Sequence, residues 1–245
     1  MSAMLASLFS LLPLALGAQQ CPAMLDPAVD PALACYVDDT PGCPEDRAHC
    51  FGVHLHVVVT EGGPAQTPAW LRAELEHAFW LFEPADVGFQ IVAVDRVEPS
   101  FAHMATREQR DAIGKQRFTR GVIHVFLVER LDDVDVPGEQ IRGVHWRQRS
   151  NTDKRWVILS KIGSKIVMGH EFGHFFGLPH STYTRSVMNK APRKSPPWER
   201  RVFVDEELKI VRQRRDAMRD SAMLIPQKPR SSPKRDDPRG SPLGE

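Results

Sequence analysis

The chain has 245 residues, 42% of them hydrophobic and 26% charged, with a formal net charge of +1. That composition suits one sizeable globular domain and excludes a disordered or fibrous chain. The near-neutral balance gives no sign of a nucleic-acid partner, although the charge is uneven: from Lys190 onward 15 Lys/Arg face 9 Asp/Glu.

Residues 1–18 carry no charged side chain and end in small residues around Gly17 and Ala18. The apolar run is too short, and too interrupted by Pro13, for a permanent membrane span, so it reads as a secretory signal and the protein as secreted or periplasmic, with no stable membrane insertion. Residues 19–51 hold all four cysteines, Cys21, Cys35, Cys43 and Cys50. An even count in an exported chain predicts two disulfides with three possible pairings, and the lack of a C-x-x-C pair disfavours zinc there.

The β-branched run from Gly52 to Thr60 predicts a strand. Thr67 as N-cap, Pro68 at the first helical position, apolar residues at Leu71, Leu75, Ala78, Phe79 and Phe82, and a stop at Pro84 predict a helix. A strand from Gly88 and a polar helix over 106–113 follow. Gly121 to Glu129 is apolar nearly throughout, which predicts a central strand; the shorter, more polar 141–147 suits a sheet edge. Arg155 to Ser160 predicts another strand, with a helix after it from about Gly163. The last helix spans Asp205 to about Met218, its acidic first turn matched to the positive end of the helix dipole. From residue 224 to 245 the chain is rich in Pro, Lys, Arg and Ser and predicts a disordered tail. The expected fold is α+β: a mixed twisted sheet of about five strands with helices packed on one side.

The segment from Gly169 to His180 reads GHEFGHFFGLPH. Residues four apart on a helix share a face, so His170 and His174 present two imidazoles one turn apart, as two ligands of a tetrahedral zinc ion require. Glu171 stands beside them, placed to activate a zinc-bound water. Gly177 can end the helix in a left-handed conformation, and His180 then returns as third ligand, leaving the fourth position open. Residue usage alone gives H-E-x-x-H in roughly one chain in a hundred or two of this length. Adding Gly177 and His180 lowers that by nearly three further orders of magnitude, so chance does not explain the pattern.

This HExxHxxGxxH motif resembles the signature of the metzincin metalloproteases. "SVMN" places Met188 eight residues after His180, where the family has its methionine turn, and Ser181 is similar to the matrixin branch. The resemblance covers roughly residues 52–223. It implies a zinc protease domain over that span, with an active-site helix in a twisted sheet, a small C-terminal subdomain holding the Met-turn and final helix, His170, His174 and His180 on Zn2+, and Glu171 as the catalytic residue. Lys190 stands where astacins and serralysins use a tyrosine, and "NKAPRK" replaces the matrixin Pro and Tyr that wall the specificity pocket. "PGCPED" around Cys43 is a partial echo of the matrixin cysteine switch, which leaves a free, zinc-binding Cys43 as the alternative to a fully disulfide-bonded set.

The leading functional expectation is an exported zinc-dependent endopeptidase whose protein or peptide substrate adds a strand along the edge 141–147. The alternative is a non-catalytic zinc-containing peptide-binding module. A thermolysin-like arrangement, with Glu199 as a distant ligand, is disfavoured by His180 at the metzincin offset. His54 and His56 alternate on one strand face and are read as a half-exposed sheet face rather than a second metal site, as are His124 and His145.

Overall fold

The structure is a computed structural model that describes residues 33–164, 166–191 and 196–230. The expected signal, Cys21 and residues 231–245 lie outside the described residues. In chain order the elements are α1 (Cys35–Asp38), β1 (His49–Thr60), β2 (Gly63–Pro64), α2 (Pro68–Phe82), β3 (Val87–Val97), β4 (His103–Met104), α3 (Arg107–Lys115), β5 (Ile123–Val128), β6 (Arg130–Leu131), β7 (Gly143–Arg147), β8 (Arg155–Ser160), α4 (Val167–Phe175) and α5 (Asp205–Asp220).

β3, β1, β5 and β8 run parallel in that spatial order, and β7 closes one edge antiparallel to β8. The two-residue β2 folds back on the end of β1 and brings the main sheet to six strands rather than about five. All six residues of β5 are buried, as its apolar run requires of a central strand. In β7 only Trp146 is buried, consistent with its edge position.

Helix α2 begins as its sequence dictates: the Thr67 hydroxyl accepts from the Trp70 amide at 3.1 Å, and Pro68 takes the first position. It lies against β3 and α4, while α4 lies against β7 and β8. A Cβ on Gly143 would meet Leu159, Val167 and Glu171, so Leu159 shares the α4 face of the sheet. Trp156 and Ile158 alternate to the opposite face. There α3 covers Trp156, whose Nε1 donates to the Arg110 carbonyl at 3.1 Å. The helices therefore pack on both faces and not on one.

Two expectations shift. Helix α4 begins at Val167, because the Gly163 amide donates back to the Ser160 carbonyl and the Gly163 carbonyl accepts from Trp70 Nε1, closing a turn where the helix was expected to start. Residues 224–230, expected in the tail, are hydrogen-bonded to the sheet: the Gln227 amide donates to the Cys50 carbonyl at 2.7 Å and the Arg230 amide to Gln90 Oε1 at 2.8 Å. These partners are non-local, and composition cannot register them.

Cys43 and Cys50 form a disulfide that clips the N-terminal segment to the start of β1, and Cys35 is also disulfide-bonded. Cys43 is therefore not a free thiolate.

Candidate metal centre and cleft

Two of the three motif histidines sit on α4, whose own sequence ends it at the right place. Gly177 has φ +91°, its amide donates to the His174 carbonyl at 3.0 Å, and the Leu178 amide reaches the Gly173 carbonyl at 2.9 Å. This is a Schellman closure with glycine in the left-handed position. The chain turns back through Pro179 and delivers His180 to the other two rings. Ring centroids lie 4.8 Å apart for His170–His174, 4.7 Å for His174–His180 and 5.7 Å for His170–His180, and His174 is nearly perpendicular to both partners.

Hydrogen bonds orient the rings. His170 Nδ1 lies 2.8 Å from the Val187 carbonyl, and His174 Nδ1 lies 2.7 Å from the Leu178 carbonyl. A carbonyl only accepts, so each Nδ1 carries the ring hydrogen and each Nε2 keeps a bare lone pair. Ring nitrogens of all three histidines lie within 4.8 Å of one another. Burial lowers the pKa of all three: His174 falls to about 4, helped by neighbouring His170, and His180 is lowered further by Lys190. Neutral imidazoles with fixed tautomers are the donor set zinc takes.

Glu171 is 5% exposed. Burial pushes its carboxyl up to about 8, opposed by a hydrogen bond from the His145 amide on β7. Met188 is fully buried, and a Cβ on Gly173 would come within 2.5 Å of its Sδ, which is why the helix carries glycine there. The turn is tied at both ends: Ser181 N donates to Met188 O, and the Ser186 hydroxyl accepts from Met188 N and donates to Glu207 on α5. These groups open on a cleft of 780 Å³ between β7 and the segment after α4, whose lining includes His145, Arg147, Glu171 and Lys190. Glu199 does not line it.

The matrixin family model matches residues 131–206, the stretch holding β7, β8, α4 and the Met188 turn. Over that stretch, less than half of its length, the chain is similar to the matrixins. Among solved structures, metalloproteinase-II from Bacteroides fragilis is similar at 11% identity, over 70% of this chain and 55% of that one, with a TM-score of 0.49. Archaemetzincin from Methanopyrus kandleri is similar at 14% identity, over 72% of this chain and 98% of that one, with a TM-score of 0.38. The chain thus spans about half the length of the Bacteroides protein. No curated protein matches it. Similarity to the matrixins implies zinc, and the donor set above fits that ion.

A second histidine group differs in kind. His54, His56 and His124 also bring ring nitrogens within 4.8 Å of one another, because β1 and β5 pair with His54 opposite His124. His56 is fully buried and His124 nearly so, which corrects the expectation of a half-exposed face. Their rings stack, with centroids 4.2 Å apart for His54–His56 and 5.2 Å for His56–His124. His124 Nε2 lies 2.9 Å from the Thr119 amide and 3.0 Å from the Thr119 carbonyl, and its Nδ1 lies 2.9 Å from His56 Nε2. His56 Nδ1 and His54 Nε2 then approach Asp95 Oδ2 at 3.3 and 2.7 Å. His56 Nε2 and His124 Nδ1 share a hydrogen bond, whereas His54 Nε2 and His56 Nδ1 are buried without one. The three form a largely buried histidine cluster in which only the His56–His124 and His124–Thr119 contacts are hydrogen bonds.

Glu74 was not singled out by the sequence reading. It is fully buried on α2, and its Oε2 accepts from the Met168 amide in the first turn of α4 at 2.7 Å. The available signal was a carboxylate three residues after Leu71, on the apolar face of an otherwise regular amphipathic helix.

Proposed function

We propose that the protein is an exported zinc-dependent endopeptidase, with His170, His174 and His180 holding the metal and Glu171 as general base. One observation carries the reading: two imidazoles whose tautomers are locked by the Val187 and Leu178 carbonyls, joined by a third, beside a buried carboxylate on an open cleft. Zinc, when bound, supplies Lewis acidity, acidifying water and polarising a carbonyl. An extended polypeptide adds to the free edge of β7 and is oriented by its backbone groups. Glu171, held by the His145 amide, takes a proton from the attacking water and returns it to the leaving amine. Phe172 and Phe175 on α4, with Met188 packed against its Gly173, are buried and fix the helix that carries His170 and His174. Export is supported by the charge-free N-terminal run and by disulfide-bonded cysteines, which persist in oxidising compartments. No helix among the described residues is long and apolar enough to cross a membrane.

The test is zinc content measured together with cleavage of an unstructured protein. Glu171→Ala is expected to retain zinc and lose about 10²–10⁴-fold or more in rate, whereas His180→Ala is expected to lose zinc itself. Equal cleavage by the wild type and by Glu171→Ala would overturn the proposal.

A further inference from the structure

The cleft is flanked by charge that the hydrolytic chemistry does not use. At the end of β7, Arg147 lines the cleft and stands directly opposite Arg155 on β8. Like charges placed opposite on neighbouring strands repel. Arg214 on α5 adds a third guanidinium: its Nε lies 3.1 Å from the position a Cβ on the cleft-lining Gly177 would take. Arg155 senses both of the others: its pKa is lowered by burial first and then by Arg147, with Asp153 opposing and Arg214 adding to the effect.

None of the three has a carboxylate partner among the described residues. Asp153, two residues before Arg155, is taken by Arg120 at 3.2 Å. Arg155 Nη2 donates to the Thr152 carbonyl at 3.1 Å, while its Nε is buried without a partner. The opposite end of the cleft is balanced. Asp135 is paired with Arg107, and Arg110 donates to the Asp132 carbonyl and stacks over Trp146. Three cations without a carboxylate partner among the described residues are therefore gathered where a peptide lying along β7 passes Arg147, with Lys190 as a further cation beside His180.

A guanidinium fork matches a carboxylate in two hydrogen bonds, and an anion there would offset the repulsion between Arg147 and Arg155. We infer that Arg147, with Arg155 and Arg214 beside it, forms a subsite for an acidic side chain of the peptide bound along β7. The substrates it points to are polypeptides carrying Asp or Glu at one fixed distance from the cleaved bond. This rests on the reading of the cleft as a peptide site.

The experiment uses a fluorescent decapeptide in which Glu, Gln or Lys is walked through each position. Binding to zinc-loaded Glu171→Ala protein is read by anisotropy, and cleavage by the wild type is read as kcat/KM. One position is expected where Glu binds about tenfold more tightly than Gln. The advantage should shrink as salt is raised and vanish in an Arg147→Gln/Arg214→Gln background that retains the wild-type circular dichroism spectrum. Arg147→Lys should restore part of it. Absence of any position that separates Glu from Gln, or an advantage that survives in the double variant, overturns the subsite. Charge-selective binding without cleavage by the wild type would leave the subsite standing and remove the peptidase reading. Cleavage indifferent to charge would do the reverse.

Discussion

Glu74 on α2 holds the start of α4, the helix that carries His170 and His174, by accepting the Met168 amide hydrogen at 2.7 Å. Ile166 at the N-cap offers no side-chain cap, so one of the free amides of the first turn is satisfied from another helix. Burial pushes the Glu74 carboxyl up to about 8, against the opposing pull of the Met168 amide. A carboxyl raised in the fold is favoured neutral. Its contribution is therefore complete below the unfolded value and is lost as pH rises from the ordinary carboxylate range toward about 8. Glu74→Leu removes the acceptor and is expected to cost about 1–3 kcal/mol. Glu74→Gln keeps an acceptor without the ionisation, so between pH 5 and 8.5 its thermal midpoint should fall less steeply than that of the wild type. Parallel pH profiles for the two proteins would refute the assignment.

Gly177 carries the return of His180, and only its backbone conformation allows it. At φ +91° an L side chain is strained, and Gly177→Ala is expected to cost about 1–2 kcal/mol. The relief open to the chain is to unwind the closure, which moves Leu178 and with it the carbonyl that orients His174. Zinc affinity should therefore fall along with stability, as a metal-buffer titration would read. Gly177→Asn, which tolerates the left-handed region better, should retain more of both. Unchanged zinc affinity in Gly177→Ala would disconnect the turn from the site.

What the sequence made legible follows the range of the forces involved. Thr67, Pro68 and Pro84 bound α2 through local chemistry, and the structure keeps those bounds. His170, His174, Gly177 and His180 are near neighbours whose offsets follow from helix geometry, so the triad could be read directly. The start of α4 was misplaced because its controlling contact, Trp70 to the Gly163 carbonyl, spans 93 residues. The burial of His56 depends on which strand flanks β1, and no local pattern says that His124 will stand opposite His54. The packing of residues 224–230 on β1 and β3 is hidden for the same reason.

The buried histidine cluster makes a prediction about acid. Desolvation lowers His56 to about 2, with His54, His124 and Arg117 adding to the effect, and lowers His124 to about 4 against the opposing influence of the Thr119 carbonyl and Asp95. Histidines held neutral in the fold contribute stability above the unfolded pKa of about 6.5, and it is lost as pH falls through that value toward 4. Unfolding in this range should be accompanied by proton uptake. A His56→Leu/His124→Leu variant leaves Asp95 at the half-exposed end of the cluster and removes the two deepest groups. It should show a shallower loss of thermal midpoint between pH 6.5 and 4 than the wild type. An equal slope would place the acid sensitivity elsewhere.

The disulfide between Cys43 and Cys50 makes the last prediction, because it decides between two roles for the N-terminal segment. A thiolate at Cys43 could occupy the open position of a zinc site, but a sulfur bonded to Cys50 cannot. The bond instead anchors the segment to β1, where the Cys43 sulfur packs 3.3 Å from the position of a Cβ on Gly88 in the neighbouring β3. It closes a short loop, with a sequence separation of 7 residues, so its effect on the unfolded chain is modest. The loop-closure relation gives ~2–3 kcal/mol for such a ring. Cys43→Ser/Cys50→Ser is accordingly expected to lose about that much stability in denaturant titrations. Its zinc content and its rate on an unstructured protein, measured below the new melting temperature, should match the wild type. Neither cysteine lines the cleft, and the start of β1 meets the end of α4 through the ring contact of Phe51 with Phe176, which the double variant leaves in place. A double variant that gained activity without losing stability would restore the thiol-switch role for Cys43.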